Sequence, residues 1–162
     1  MKHQINSFKF AFRGIWFTIK NESHMRFHMV AGFYVILFSF FYNFSKAEWA
    51  IILMLIASII TAEIFNTCLE QLCNLNTQSY DPIARIAKDV AAGAVLAFTF
   101  VAVTIAYLFY FDLNTINYIV QFFLQRPALL VLLVLSFILS ALFIGFGPMG
   151  AKRIYHKIKS KK

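Results

Sequence analysis

This sequence predicts an all-α integral membrane fold, and three observations predict it. Sixty per cent of its 162 residues are hydrophobic, 14% are charged and the mean hydropathy is +0.71. A soluble domain carries roughly 45–50% apolar and about 25% charged residues. Uncharged stretches recur at the length of about 20 residues that a helix needs to cross a bilayer. The basic residues flank those stretches and gather at the two chain ends, as membrane-surface anchors do. Together these features exclude a water-soluble globule, a disordered chain and a nucleic-acid-binding domain, in spite of a formal charge of +8. The length is that of one domain, and 20 phenylalanines suit a lipid-facing surface.

The first element is an amphipathic helix over 5–20. Phe8, Phe12, Ile15, Trp16 and Ile19 recur at helical spacing, while Lys9, Arg13 and Lys20 gather largely elsewhere on the wheel. Such a helix lies on a membrane surface. The first ~25 residues lack the uninterrupted apolar run and small-residue cleavage site of a signal peptide, so none is expected.

Four spans follow. The first, 27–45, has no Lys, Arg, Asp or Glu; the second, 49–75, is apolar except for Glu63 and Glu70. The third covers 85–111 and is uncharged from residue 90; the fourth covers about 127–147, within an uncharged run that extends to 151. Pro127 suits a first helical turn. Residues 1–111 thus form one unit, and 112–162 a C-terminal extension with a span and a basic tail. With both termini cytoplasmic, thirteen of the 15 basic residues lie inside and two, Lys46 and Arg126, outside. The positive-inside rule selects that orientation. Cys68 and Cys73 point to different faces of one helix. They are expected as buried small apolar residues rather than a disulfide or metal pair.

The second span carries charges that a bilayer disfavours by roughly 2.5–3.5 kcal/mol each near its centre. With Trp49 at the outer interface, Glu63 lies about 21 Å further in, and Glu70 about 10 Å beyond it. Glu63, Asn66 and Glu70 share one helix face, and Asn66 can orient either carboxylate. Such a column can bind a divalent cation, relay a proton or deprotonate an alcohol; the alternative is a polar cluster that glues helices together. Lys88 and Asp89 stand at the membrane level of Glu70, where a lysine beside an acidic, metal-binding face meets the needs of a nucleotide phosphate. The small residues Ala91, Ala92, Gly93 and Ala94 permit close packing beside the Glu63 face. Glu22 lies where the surface helix turns into the first span, either as a ligand with Glu70 or as an i,i+4 partner of Arg26. His24 and His28 are also i,i+4, a spacing that can ligate metal; with no third ligand evident they are expected as interfacial histidines. No P-loop, Rossmann glycine pattern or nucleophile elbow is present.

The stretch Glu63-Ile-Phe-Asn66-Thr67-Cys-Leu-Glu70, followed by Ala87-Lys88-Asp89-Val-Ala-Ala-Gly-Ala-Val-Leu96, resembles the prokaryotic diacylglycerol kinase/undecaprenol kinase family. So do Asn6-Ser-Phe-Lys9-Phe-Ala-Phe-Arg13-Gly14-Ile, Lys20-Asn21-Glu22 and Arg26. The likeness covers about residues 5–111 and is closer to the undecaprenol kinase branch. It implies a homotrimeric lipid kinase of the bacterial inner membrane, with three membrane helices, a surface helix and cytoplasmic active sites at subunit interfaces. It further implies Glu63 as general base toward the lipid hydroxyl and Asn66 as the residue orienting the catalytic face. Glu22 and Glu70 would be ligands of the Mg²⁺ carried by ATP. Lys88, Asp89 and Arg13 would contact the nucleotide, and Tyr80 and Asp81 would border the adenine. Three departures stand out: Asn74 where relatives often carry Asp, Asp81 before Pro82 where His is common, and the extra span in 115–162. The extension is expected to pack outside the catalytic bundle and return the basic tail to the cytoplasm. The rival reading is a non-enzymatic transporter or assembly subunit using the Glu63/Glu70 face as an ion path. Above Glu63 the second span offers only Ser58 and Thr61 as polar residues, so a continuous path is poorly supported, and an inert scaffold would leave the carboxylates unexplained.

Overall fold

A computed structural model describes residues 2–76, 81–148 and 150. Tyr80 and the basic tail beyond Gly150 lie outside the described residues. Among the described residues six helices make up the architecture: α1 (Lys2–Asn21), α2 (Ser23–Ser39), α3 (Lys46–Asn76), α4 (Pro82–Tyr110), α5 (Leu113–Leu124) and α6 (Pro127–Phe146). No strand occurs among the described residues.

The helix ends follow local chemistry. The α1 helix breaks at Glu22, whose backbone is extended at φ −104°, ψ 120°. Ser45 and Glu48 form a reciprocal cap at the start of α3: the Ser45 N–H and Oγ both donate to Glu48 Oε2 at 2.7 Å, and the Glu48 N–H donates to Ser45 Oγ. This S-x-x-E box satisfies two orphan donors at once. Asp81 caps α4 by accepting from the Ile83 N–H, with Pro82 in the first turn. Asp112 caps α5 in the same way through Asn114 and Thr115.

Among the described residues three helices are long and apolar enough to cross a membrane: α3 from Lys46 to Leu75, α4, and α6. The first expected span, 27–45, takes a different form. Its helix, α2, runs from Ser23 to Ser39 and is about 25 Å long. Phe41 and Tyr42 then form turns on Phe38 and Ser39, because the backbone of Ser45 is drawn into the cap of α3. The α5 helix was not expected; its signal was Asp112 as an N-cap.

Helices α2 and α3 run antiparallel about the turn at 40–45. Phe40 meets Trp49 near that turn, Gly32 faces Ile56 midway, and His28 meets Glu63 far from it. A Cβ on Gly32 would lie 3.0 Å from Ile56 Cγ2, so the glycine permits the close approach. The most extensive packing is α3 on α4, where Ala91 and Val95 are buried. The α6 helix lies against the face of α2: Tyr34 stacks on Phe137 at 4.5 Å between centroids, and its hydroxyl meets Ser136 and Ser140. At one end of this pair Arg26 donates to the Ile144 carbonyl. The far end is closed by aromatic contacts among Phe41, Tyr42, Phe44, Tyr110, Phe122 and Phe123. Aromatic residues favour a membrane–water boundary.

Much of the apolar surface remains open. Phe8, Phe12 and Trp16 of α1 are exposed, as are long faces of α4 and α6. Such a surface is stable only in lipid or against other chains.

Candidate active site

Glu63 is buried, 3% exposed, in the second half of α3. Its Oε1 lies 3.3 Å from His28 Nε2 on α2. A buried carboxylate needs such a partner, because removal from water without one is costly. Behind it the Thr67 hydroxyl donates to the Glu63 carbonyl at 2.9 Å. His28, expected as an interfacial histidine, is carried onto Glu63 by the antiparallel register of α2 and α3. His24 is exposed.

One turn further on, Asn66 Nδ2 donates to Glu70 Oε1 at 3.4 Å, so the predicted face is formed. Asn66 Oδ1 is buried and accepts nothing among the described residues. Glu22 sits at the N-cap position of α2 but makes no capping hydrogen bond. Burial raises its pKa above the ordinary 4.5; the charges of Glu70 and Glu63 raise it further, while His24 and Arg26 oppose the rise. The break between α1 and α2 thus brings a third carboxylate into the field of the α3 pair. No group of three His, Cys, Asp or Glu converges to hold a metal among the described residues. Mg²⁺ does not require one: it is usually held by one or two carboxylates together with waters and substrate phosphates. Glu22 and Glu70, two carboxylates that repel one another and of which Glu22 makes no capping hydrogen bond, fit such an ion.

The other expected residues are placed unequally. Lys88 Nζ donates to Asn74 Oδ1 at 2.7 Å, so the position where relatives often carry Asp is the one that holds the lysine. Asp89 is exposed. Asp81 is engaged in capping α4, which starts at Pro82 rather than at 85. Arg13 is exposed on α1, its guanidinium 5.1 Å from the Phe10 ring centroid. Of the small run on α4 only Ala91 is buried, and nothing lies within 4 Å of where a Cβ on Gly93 would be. Ala92 and Ala94 are exposed, so only Ala91 packs inward. Cys68 is exposed and Cys73 half-buried, a correction to the expectation that both are buried; Cys68 falls on the outer side of α3.

Sequence reasoning missed His28 and the task of Arg26. The signal for His28 was the turn before Lys46. Residues equidistant from a hairpin centre face each other, and His28 and Glu63 are nearly so.

A buried carboxylate paired with histidine, two more carboxylates toward the helix ends and a lysine thus gather at one end of a bundle of membrane-length helices. The chain belongs to the prokaryotic diacylglycerol kinase family, whose profile matches residues 9–110. It is a lipid kinase and a membrane protein. It is 38% identical over 104 residues to the undecaprenol kinase of Bacillus subtilis (strain 168), covering 64% of this chain and 85% of that protein. It is 32% identical over 100 residues to the diacylglycerol kinase of Synechocystis sp. (strain ATCC 27184 / PCC 6803 / Kazusa), covering 61% and 57% respectively. No solved structure gives a significant match. Family membership decides against the transporter reading. The shared segment ends with α4, so α5 and α6 lie beyond it.

Proposed function

We propose that this kinase transfers the γ-phosphoryl group of ATP to the hydroxyl of a membrane-anchored lipid alcohol at the cytoplasmic face of the bacterial inner membrane. Undecaprenol is favoured over diacylglycerol. The observation that carries the reading is Glu63, buried against His28 with Glu70 and Glu22 toward the helix ends. Glu63 takes the proton of the lipid hydroxyl while its oxygen attacks the γ-phosphorus; the new P–O bond forms as the bond to the leaving ADP breaks. His28 holds the Glu63 carboxylate in place for that transfer. An apolar groove of about 320 Å³ between α2, α3 and α4, lined by His28, Gly32, Ile52, Ile59, Thr99 and Tyr110, supports placing a hydrocarbon tail beside the base.

Glu22 and Glu70 would hold Mg²⁺, which when bound offsets the phosphate charge that in-line transfer must tolerate. Asn66 positions Glu70 and leaves its Oδ1 to accept from a donor on substrate. Lys88 and Asp89 serve the nucleotide at the start of α4, joined in the proposal by Arg13, Tyr80 and Asp81. Positioning and charge neutralisation are most of what this reaction requires. A homotrimer completes the reading. An open groove of about 650 Å³ on α3 and α4, lined by Met54, Phe65, Asn66, Leu69, Ala91 and Phe98, supports a neighbouring copy at the site. The higher identity to the undecaprenol kinase supports the choice of substrate.

The test is transfer from labelled ATP in detergent–lipid micelles containing Mg²⁺, with undecaprenol and diacylglycerol offered separately. Labelled undecaprenyl phosphate that disappears in Glu63→Gln is the expected result. Label in diacylglycerol alone would reverse the substrate choice, and label in neither would defeat the reading.

A further inference from the structure

The α6 helix lies outside the family segment, yet its end reaches the site. Arg26 is 5% exposed and its guanidinium makes four hydrogen bonds to main-chain carbonyls. Nε and Nη2 donate to the Ile144 oxygen of α6 at 3.0 and 2.9 Å, and Nη1 donates to the Ile19 and Lys20 oxygens of α1 at 3.0 and 3.3 Å. Both helices end there, and a helix C-terminus presents unsatisfied carbonyls and partial negative charge. Two such ends brought together repel unless a cation lies between them, which is the place Arg26 takes. Gly147 turns the chain away at this point with φ +64°, the only positive φ among the described residues. A Cβ there would stand 3.1 Å from the guanidinium carbon and Nη1.

Four residues before Arg26 stands Glu22, the spacing at which opposite charges pair on a helix. Among the described residues no ion pair joins them; the only one is His28–Glu63. We infer that α6 keeps Arg26 off Glu22: the Ile144 carbonyl holds the guanidinium at the helix ends, leaving the Glu22 carboxylate to receive a divalent cation. Displacing α6 removes the acceptor of Nε and Nη2, and Glu22, one helical turn away, is an anionic replacement. The C-terminal extension is thereby a positioning element for the metal-binding carboxylates, and Arg26 is its positioning residue. This inference rests on the proposed Glu22/Glu70 site.

The experiment is a Mn²⁺ titration of the full chain in detergent followed by electron paramagnetic resonance, which needs no turnover. Gly147→Ala is expected to weaken Mn²⁺ binding roughly tenfold, the low end of what lost outer-shell support costs a metal site. In an Arg26→Gln background the same substitution is expected to change affinity by less than about twofold, because the guanidinium that α6 holds is gone. Helix content by circular dichroism accompanies each variant. If Gly147→Ala does not fold, Ser136→Ala/Phe137→Ala loosens α6 by removing partners of Tyr34, and the same contrast is expected. Unchanged Mn²⁺ affinity in folded Gly147→Ala, an equal loss in both backgrounds, or no Mn²⁺ binding by the unaltered chain would each overturn the inference. Phosphate transfer by the unaltered chain is measured alongside. A protein that shows the Mn²⁺ contrast but transfers no phosphate defeats the kinase chemistry and leaves the Arg26 device standing.

Discussion

Glu63 and His28 form a pair in which each side chain has a separate task, and kinetics can tell the tasks apart. Glu63→Gln preserves shape and removes the base; kcat is expected to fall at least about 10²-fold, with Mg–ATP binding retained in a nucleotide titration. His28→Ala leaves the base but frees its carboxylate. A hydrogen bond to a charged group is worth about 1.5–3 kcal/mol, so kcat is expected to drop at least about tenfold, with a smaller change in KM for lipid. Glu22 adds a pH dependence. Its pKa is raised above 4.5 by burial and by Glu70 and Glu63, so above 4.5 the folded chain holds more proton at this site than the unfolded chain does. Stability from this group is therefore complete below 4.5 and is lost as pH rises through the folded value. In chelator, melting temperature is expected to fall over that range. Glu22→Gln should flatten the fall, and Mg²⁺ should restore the unaltered protein but not the variant. An identical pH profile in Glu22→Gln would mean that neither burial nor the neighbouring carboxylates raise the Glu22 pKa.

Helix α2 is the element on which the site depends, because it meets α3 on one side and α6 on another. Its contact with α3 is closest at Gly32, where an added Cβ would stand 3.0 Å from Ile56. Gly32→Val overfills that contact and is expected to cost about 1–3 kcal/mol, read as a lower melting temperature. It should also lower kcat by separating His28 from Glu63. Asp112→Ala removes the cap of α5 at the opposite end of the bundle. It is expected to reduce the melting temperature slightly and to leave phosphate transfer unchanged. A comparable loss of transfer in both variants would show that the two ends of the bundle are coupled. The elements themselves were largely legible, since long apolar runs allow few conformations other than helix in lipid. The early end of α2 was hidden because nothing in 40–45 breaks a helix outright; the stop comes from the Ser45–Glu48 cap of the next element.

At the scale of the molecule, the N-terminus of α2, the C-terminus of α3 and the C-terminus of α6 share one end, as the contacts His28–Glu63 and Arg26–Ile144 require. The expected four crossings and cytoplasmic termini then predict that cysteines introduced at Gln4 and at Lys162, in a chain free of Cys68 and Cys73, are protected from an impermeant thiol reagent in intact cells. Labelling of one terminus alone would require an odd number of crossings. Composition and helical period determined by themselves that the chain is helical, that it belongs in a membrane and that Glu63, Asn66 and Glu70 lie on one face. Those properties are local: a period of 3.6 residues and the cost of a charge in hydrocarbon are felt within a few turns. The period says which face a residue occupies but not what that face meets. Only the tertiary structure decided that His28 lies on Glu63, that Lys88 is held by Asn74, and that Arg26 turns from Glu22 to a carbonyl 118 positions away. Each of those pairings depends on the register of packed helices, which is set by turns, caps and close approaches along the whole chain.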